Sequence, residues 1–339
     1  MKKITMHNSS KNHLWAYFSV ISLIYQNHPL IIEMKKNEIM DAFDSSNPYL
    51  KNAKIENFLI CSDGKPIGHA SVILDKRLSN DVAMIGFFEA VDLVSGKHLL
   101  DEIKKYLKLN KIKIARGPIN LSTWQNFRFS LSEEVPPFFG EPFNKNYYCY
   151  IFEKSGFEIA QENVSLVDDL QNPLIENLKK KYLNNKKQFT FLKLNTLNLE
   201  EYKRDLYALA KQTFSKSWNF VPISFKEFNY NFKNLYSTID DHFLYIVKYG
   251  DEKAGFLLGL KDIFSKEIVI AKTMGIKDTY QRKGIGSALF YLLSRDALEK
   301  GCKKIIYSTL RTDNEPIQKL LNSNTAKVYR QYKTFEIHI

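Results

Sequence analysis

The residues of this chain with the clearest chemical potential are Gln281-Arg282-Lys283-Gly284-Ile285-Gly286. They follow an apolar run, Ile268 to Ile276, that predicts a buried strand, and they precede an amphipathic pattern that predicts a helix to about Lys300. Gly284 and Gly286 let the backbone turn so that its N–H groups converge, with the positive end of the helix dipole behind them. Arg282 and Lys283 add positive charge, and Ser287 offers a hydroxyl in the first helical turn. This combination predicts a site for a pyrophosphate group.

The elements around these glycines must form a strand–loop–helix–strand unit. The predicted helix has one apolar face, made of Ala288, Leu289, Leu292, Leu293 and Leu298. A second buried strand is predicted from Ile305 to Leu310, directly after Gly301 and Cys302. A dinucleotide-binding unit would need G-x-G-x-x-G after its first strand and an acidic residue near the end of its second, and the chain has neither in register. A P-loop is excluded because Lys283 precedes the glycines and no Gly-Lys-Ser/Thr occurs.

The stretch from Tyr280 to Leu289 resembles the Q/R-x-x-G-x-G/A signature of the GNAT superfamily of N-acyltransferases. The resemblance implies that backbone amides from Arg282 to Ala288 hold the pyrophosphate of acetyl-CoA or another acyl-CoA, or the phosphopantetheine of an acyl carrier protein. It also implies that residues 274–276 bind the pantetheine arm, and that Asn314 matches an asparagine of the family. The donor-binding residues expected from it are Met274, Gly275, Ile276, Gln281, Arg282, Lys283, Gly284, Ile285, Gly286, Ser287, Ala288 and Asn314. No metal ion is expected.

The chain departs from the family at the catalytic acid. Many members carry a tyrosine seven residues after that asparagine, and here this position is Leu321. Tyr307 and Tyr329 are the candidates for its replacement, with Tyr332 also near in sequence. Lys272 and Thr273 stand on the first strand where the family often has a carboxylate base. A base is therefore expected to act through water or to come from the other half of the chain.

Length and an internal repeat indicate two domains. With 339 residues, 44% of them hydrophobic, the chain can bury about two cores. A polar, basic segment at 171–188 is typical of a solvated linker helix, and the alternative is a binding patch, which its charge favours less. A hairpin around Asp63-Gly64, a strand at 82–90, a helix at 97–109 and a strand at 112–115 repeat the order predicted in the second half, where the hairpin surrounds Gly250-Asp251.

The two halves differ in what they keep of the pattern. Where a phosphate loop should stand in the first half, residues 91–97 contain one glycine and the acidic Asp92, so pyrophosphate binding is expected to be poor. Residues 152–157 resemble the family's Y-E-K-x-G-F with Phe152 in the place of the tyrosine. The resulting expectation is an α/β protein of two GNAT-like domains in tandem, each a mixed, mostly antiparallel twisted sheet flanked by helices. Residues 1–170 would be the degenerate acceptor-side domain, 171–188 a basic linker, and 189–339 the domain that binds the acyl donor.

Several further features bear on location and partners. Residues 14–25 form an apolar run that is too short to span a membrane, which leaves a buried helix or one that touches a bilayer or lines a lipid channel. The net charge of +12 attracts anionic partners in general, and no motif indicates sequence-specific nucleic-acid binding. Cys61, Cys149 and Cys302 lack disulfide or zinc spacing, which is typical of a reducing compartment. A cytoplasmic protein is expected, with peripheral contact at the inner face of the membrane left open.

The expected activity is transfer of an acyl group to a primary amine of unknown identity by direct attack on a thioester. Residues 116–124 and 141–148 also resemble a bacterial tandem group associated with long-chain acyl transfer, including ceramide-synthase-like proteins. Two alternatives stay open. One is an aminoacyl-tRNA-dependent transferase of the peptidoglycan-bridge type, against which the intact glycine loop argues. The other is a module that binds acyl-CoA without catalysis.

Overall fold

The computed structural model describes residues 4–9, 14–132, 135–312 and 325–339. The chain divides into two compact units. Unit 1 takes Met1–Glu134, Pro142–Glu162 and Tyr332–Ile339, and unit 2 takes Val135–Glu141 and Asn163–Gln331.

The described strands are β1 (Ile4–Ser9), β2 (Ala53–Ser62), β3 (Lys65–Asp75), β4 (Val82–Ala90), β5 (Ile114–Gly117), β6 (Phe129–Ser130), β7 (Glu158–Asp169), β8 (Thr190–Leu194), β9 (Phe243–Tyr249), β10 (Glu252–Lys261), β11 (Ile268–Ile276), β12 (Lys304–Arg311) and β13 (Lys327–His338). The described α-helices are α1 (Leu14–Ile24), α2 (Pro29–Phe43), α3 (Leu93–Leu109), α4 (Tyr147–Lys154), α5 (Leu174–Asn185), α6 (Leu199–Phe214), α7 (Phe225–Ser237) and α8 (Ile285–Glu299).

Each unit has a mixed, mostly antiparallel sheet with helices beside it. In unit 1, β1 to β4 pair antiparallel in chain order, β4 pairs parallel with β5, and β5 pairs antiparallel with the end of β13. In unit 2, β8 to β11 pair antiparallel in chain order, β11 pairs parallel with β12, and β12 pairs antiparallel with the end of β7. The predicted fold class is confirmed, and the repeat of hairpin, strand, helix and strand recurs in both units.

The unit boundaries differ from the predicted ranges 1–170 and 189–339. Residues from Asn163 in β7 pair with β12 in unit 2, and residues from Tyr332 in β13 belong to unit 1. Each sheet is thus completed by a strand that sequence order assigns to the other half. The predicted linker at 171–188 contains helix α5, which packs within unit 2 because Tyr182 stacks on Tyr291 of α8 at 5.3 Å between ring centroids.

The apolar faces predicted for the helices form the two cores. In α8, Ala288, Leu289, Leu292 and Leu293 are buried as predicted, and Leu298 is partly buried at the edge of the same cluster. In α1, Ala16, Tyr17, Val20 and Ile21 are buried while Trp15 and Leu23 are exposed. None of the described helices is long and apolar enough to cross a membrane.

Candidate functional site

Strands β11 and β12 separate in the middle of the sheet of unit 2. They pair from Ile268–Lys304 to Ala271–Tyr307, and the remaining half of β11 has no partner on β12. Both strands are irregular at this level. On β11 the pairing with β10 skips Lys272, and on β12 the pairing with β7 shifts between Tyr307 and Leu310, where Thr309 has φ +48°. The bulges turn the strands apart, so residues 272–276 have no backbone partner on the β12 side among the residues that the structure describes.

The glycine loop begins where this free edge ends. A short 3₁₀ turn, Asp278–Tyr280, leads into the loop, and the side-chain Nε2 of Gln281 donates to the carbonyl of Ile276 at 3.2 Å. The hydroxyl of Tyr280 donates to the carboxylate of Glu252 on β10, which lowers the pKa of Glu252 and raises that of Tyr280 to about 12. These two contacts fix the loop between the end of β11 and the start of α8.

The backbone of the loop turns sharply at two residues and presents a run of unbonded N–H groups. Arg282 has φ +61° and Gly284, the residue that precedes α8, has φ +82°. Across the described part of the chain, the backbone N–H groups of residues 282–287 make no hydrogen bond, and the first bond of α8 runs from Ala288 to the carbonyl of Gly284. No side chain caps the start of this helix. Six successive N–H donors at the positive end of a helix dipole suit a group with several anionic oxygens.

Two glycines of the predicted set lie at close approaches. A Cβ on Gly286 would lie 3.2 Å from Cε of Met274, so the missing side chain lets the first turn of α8 approach the free edge of β11. A Cβ on Gly275 would lie 2.5 Å from the ring of Phe256 and 2.7 Å from Oγ1 of Thr213. Residues 274–276 and 281–288 are therefore brought together as one surface, as the sequence predicted. Asn314, predicted to join it, lies outside the described residues.

The two tyrosine candidates occupy different environments. Tyr307 is at the last paired position before the strands separate, is 6% exposed, and packs edge-on against Phe290 of α8 at 5.3 Å. Its hydroxyl makes no hydrogen bond to any described residue, and burial raises its pKa, so the phenol stays protonated. Tyr329 donates its hydroxyl to the carbonyl of Pro136 at 2.9 Å, and burial raises its pKa as well. Tyr332 falls in unit 1.

Sequence reasoning missed a segment that joins unit 2 from the first half of the chain, Val135–Glu141. The ammonium of Lys272, the residue at the β11 bulge, donates to the carbonyl of Gly140. Glu141 forms an ion pair of 2.8 Å with Arg330, and both side chains are almost fully buried. The segment is thus held to β11 at the level where the two strands separate. Its contacts are long-range, and no local pattern in the sequence signals them.

The sequence also did not predict that side chains of α5 lie against the glycine loop. A Cβ on Gly284 would meet Nδ2 of Asn185 at 3.1 Å and Cδ of Lys181 at 3.4 Å. The run Lys179-Lys180-Lys181 was the available signal, but charge runs on helices are usually solvated. Lys181 and Asn185 are four residues apart, and this spacing places them on the same side of the helix.

Unit 1 has the same separation of strands, but its own chain fills the gap. Strands β4 and β5 pair only from Val82 to Met84, after which the amide of Ile119 donates to Ile85 and that of Phe87 donates to the side chain of Asn120. A Cβ on Gly86 would lie 2.2 Å from the carbonyl of Ile119, so there is no room for a ligand there.

The predicted degenerate loop at 91–97 is also filled, because α3 starts at Leu93. Asp92 caps this helix by accepting from the amide of Ser95 at 2.7 Å, while the Ser95 hydroxyl accepts from the amide of Asp92. The capping box explains why the helix begins four residues before the predicted Lys97. The carboxylate of Asp92 occupies an N–H donor at the helix start that a bound anion would need, and its negative charge repels such an anion.

Comparison with known proteins gives a family for part of the chain and a fold for all of it. The sequence model of the Acetyltransferase (GNAT) family matches residues 203–323. A comparison with curated protein sequences gives no significant match. Among solved structures, the tandem GNAT protein from the clavulanic acid biosynthesis pathway superposes with a TM-score of 0.60 at 9% identity, covering 99% of this chain and 98% of that one.

Two further structures carry the same arrangement. A GCN5-related N-acetyltransferase from Anabaena variabilis gives a TM-score of 0.58 at 9% identity, over 98% of this chain and 72% of that one. A GCN5-related N-acetyltransferase from Sphaerobacter thermophilus gives a TM-score of 0.54 at 10% identity, over 98% of this chain and 95% of that one. At such identities the likeness shows the fold. The tandem arrangement predicted from the sequence is confirmed at the level of the fold, and residues 203–323 match the sequence model of the GNAT acetyltransferase family. The narrower likeness to ceramide-synthase-like proteins stays a prediction.

Proposed function

We propose that this chain, which has the tandem GNAT fold and a GNAT acetyltransferase domain in residues 203–323, transfers an acyl group from an acyl-CoA to a primary amine. The observation that carries the proposal is that two stretches of backbone with unpaired hydrogen-bonding groups lie next to each other in unit 2. The N–H groups of residues 282–287 are free to hold a pyrophosphate, and the edge of residues 272–276 is free to pair with an amide-bearing arm. In acyl-CoA the pyrophosphate is followed directly by the pantetheine arm with its two amides.

The chemistry that follows is a direct displacement at the thioester. The loop amides of residues 282–287 anchor the pyrophosphate, and Met274, Gly275 and Ile276 pair with the pantetheine amides as an added strand. A backbone N–H of the free edge polarises the thioester carbonyl and stabilises the oxyanion that develops. The neutral amine forms a bond to the carbonyl carbon, the carbon–sulfur bond breaks, and the nitrogen loses a proton to water or to a base. The sulfur leaves as a thiolate that must gain a proton.

Tyr307 is the residue we propose as the proton donor to that thiolate. It is placed where β11 and β12 separate, its hydroxyl is not engaged by any described residue, and its raised pKa keeps the proton on the phenol. Tyr329 is the weaker candidate because its hydroxyl already donates to Pro136. A protonated phenol that can transfer its proton as the bond breaks lowers the barrier for thiolate departure.

For unit 1 we propose a role on the acceptor side. Its own donor gap is occupied by Ile119 and Asn120, which removes it as a second donor site. It keeps a cavity of about 60 Å³ lined by Glu38, Glu89 and Phe143 among others. Glu89 is neutralised by Lys35 at 2.6 Å, whereas Glu38 only accepts from the amide of Asn120. The cations Lys35 and Arg128 also line this cavity, so its lining carries both signs of charge. Glu38 is the carboxylate that we propose as the contact for the amine, and Glu38→Gln should then raise the KM for the amine and leave that for the donor unchanged.

The donor is proposed to be CoA-linked rather than carried by an acyl carrier protein, and its chain length is left to experiment. Six successive N–H donors match the several anionic oxygens of a pyrophosphate better than the two of a phosphodiester. Native mass spectrometry of the full chain with acetyl-CoA, palmitoyl-CoA and acyl carrier protein loaded with the same chains tests this. We expect acyl-CoA adducts at micromolar concentration.

The activity itself is tested by thiol release from the bound donor in the presence of a panel of amines, small polar ones and sphingoid bases among them. Release that depends on the amine supports transfer. Adducts without release for any amine would favour a module that binds acyl-CoA without catalysis. Absence of any donor adduct would overturn the proposal.

A further inference from the structure

Helix α5 lies outside the stretch matched by the family model, since it ends at Asn185 and the match begins at residue 203. It nevertheless packs on α8, the helix that starts at the glycine loop. Tyr182 is held between Tyr291 of α8, at 5.3 Å, and Phe191 of β8, at 5.5 Å. This contact fixes both the rotation and the position of α5 relative to the loop.

Two side chains of α5 reach Gly284 as a consequence. Cδ of Lys181 and Nδ2 of Asn185 lie 3.4 Å and 3.1 Å from the place a Cβ of Gly284 would take. Asn185 is 8% exposed, and its Nδ2 donates to the backbone carbonyl of Lys181 at 2.9 Å, so its amide is held at the loop. The methylene stem of Lys181 therefore runs along the glycine turn.

The ammonium group of Lys181 has no competing partner. Within the ranges that the structure describes it makes no ion pair or hydrogen bond, whereas Lys179 on the same helix lies 3.9 Å from Glu176. Lys283 of the loop is placed over the ring of Tyr280 at 5.1 Å, which draws its charge towards β10. Lys181 is thus a cation without a described partner whose stem borders Gly284, the third of the six residues with unbonded N–H groups.

We propose that α5 supplies Lys181 as a phosphate ligand from outside the family domain, so that the donor pyrophosphate is held between the glycine loop and a second helix. The inference rests on the proposed function, because it assigns a further residue to the same donor site. The C-terminal end of α5 carries a partial negative charge of about half a unit, which by itself would disfavour an anion at this place. The full charge of Lys181 outweighs it. Asn185 acts as a positioning residue by holding the Lys181 backbone.

The test compares Lys181→Gln with Lys180→Gln. Both variants lose one charge, are shortened by the same amount and retain good helix propensity, but Lys180 is on the side of α5 opposite the Tyr182 contact. Binding of CoA, of dephospho-CoA and of 4′-phosphopantetheine is measured by calorimetry. We expect Lys181→Gln to weaken CoA and dephospho-CoA by the same factor, about tenfold, Lys181→Arg to restore most of it, and Lys180→Gln to stay within twofold of the parent protein.

Equal affinities for the Lys181→Gln and Lys180→Gln variants would overturn the inference. So would a loss seen with CoA and not with dephospho-CoA, because the contact would then be to the 3′-phosphate. A parent protein that binds no CoA would instead remove the proposed function, which is a separate result. Unchanged thermal unfolding of both variants checks that α5 stays in place.

Discussion

Gly284→Asn and Gly284→Asp form a pair that separates charge from shape at the centre of the proposed donor site. Gly284 has φ +82° and ψ 6°, a left-handed conformation that Asn and Asp tolerate better than other residues with a side chain. The atoms that a new Cβ would meet are side-chain atoms of Lys181 and Asn185, which can shift. The two variants have the same shape and differ only in charge.

Their stabilities should be close to that of the parent protein. The left-handed conformation costs about 1 kcal/mol for a residue with a Cβ. Gly284 is also the residue that precedes α8, so an Asn or Asp side chain there can accept from the free N–H groups of the first turn, which contributes about 1 kcal/mol. The two effects nearly cancel, and the thermal midpoint is expected to move by no more than a few degrees.

Donor affinity should separate the two variants. Both side chains compete with the pyrophosphate for the same N–H groups. The carboxylate of Asp adds repulsion of about 1 kcal/mol per phosphate charge at about 5 Å and an effective dielectric near that of water, and more where the loop excludes solvent. Two phosphate charges then make the affinity of Gly284→Asp about 30-fold lower than that of Gly284→Asn.

Isothermal calorimetry with CoA at low ionic strength measures this difference, and thermal unfolding of the same samples checks the fold. The ratio between the variants should shrink as salt is added, because added ions screen the repulsion. Equal CoA affinities for the Asn and Asp variants would refute the placement of the pyrophosphate at Gly284. Parent-like affinity in both would refute the donor site as a whole.

Three further results are expected from other parts of the chain. Burial lowers the pKa of His69 to about 3 from 6.5, so below pH 6.5 the unfolded chain binds a proton that the folded chain does not. The free energy of unfolding therefore falls as the pH drops from about 6.5 towards 3, by about 2 kcal/mol at pH 5. Urea unfolding of His69→Phe should show a flatter dependence of this free energy on pH. Glu141→Gln takes from the buried Arg330 its charged partner, which should lower the free energy of unfolding by about 3–5 kcal/mol, and a urea midpoint unchanged from the parent would contradict that account. Tyr307→Phe should reduce kcat about 100-fold while Tyr329→Phe stays within about threefold, and the reverse order in steady-state kinetics would assign the proton donor to Tyr329.

Much of the fold could be predicted because local pattern and final structure agree in unit 2. β11 has the predicted limits Ile268–Ile276, and the turn at Gly250 joins β9 and β10 as expected. In these segments hydrophobic periodicity, turn residues and the glycine pair all indicate the same elements. The placement of the candidate donor-site residues beside one another was predictable for the same reason, since strand, loop and helix are consecutive in sequence; their role in donor binding stays a prediction.

The parts that could not be predicted depend on contacts between distant residues. β7 and β13 each end in the unit that sequence order would not assign to them, and the segment Val135–Glu141 joins unit 2 from within unit 1. Its anchors, Lys272 and Arg330, are separated from it by more than a hundred residues, and neither stands in a recognisable motif. The start of α3 was misplaced for a smaller reason, because the capping box at Asp92 was taken as part of a loop.

The closed gap in unit 1 indicates that its loss of a donor site cannot be reversed by one substitution. Asp92→Ala would remove the charge and the cap at the start of α3, at a cost of about 1 kcal/mol. It would leave Ile119 against Gly86 and Asn120 bonded to Phe87, where the pantetheine arm would have to lie. Unit 2 differs at both places at once, with an uncapped helix start and a free strand edge. Donor binding therefore needs the loop and the gap together, so Asp92→Ala should bind no more CoA in unit 1 than the parent protein does.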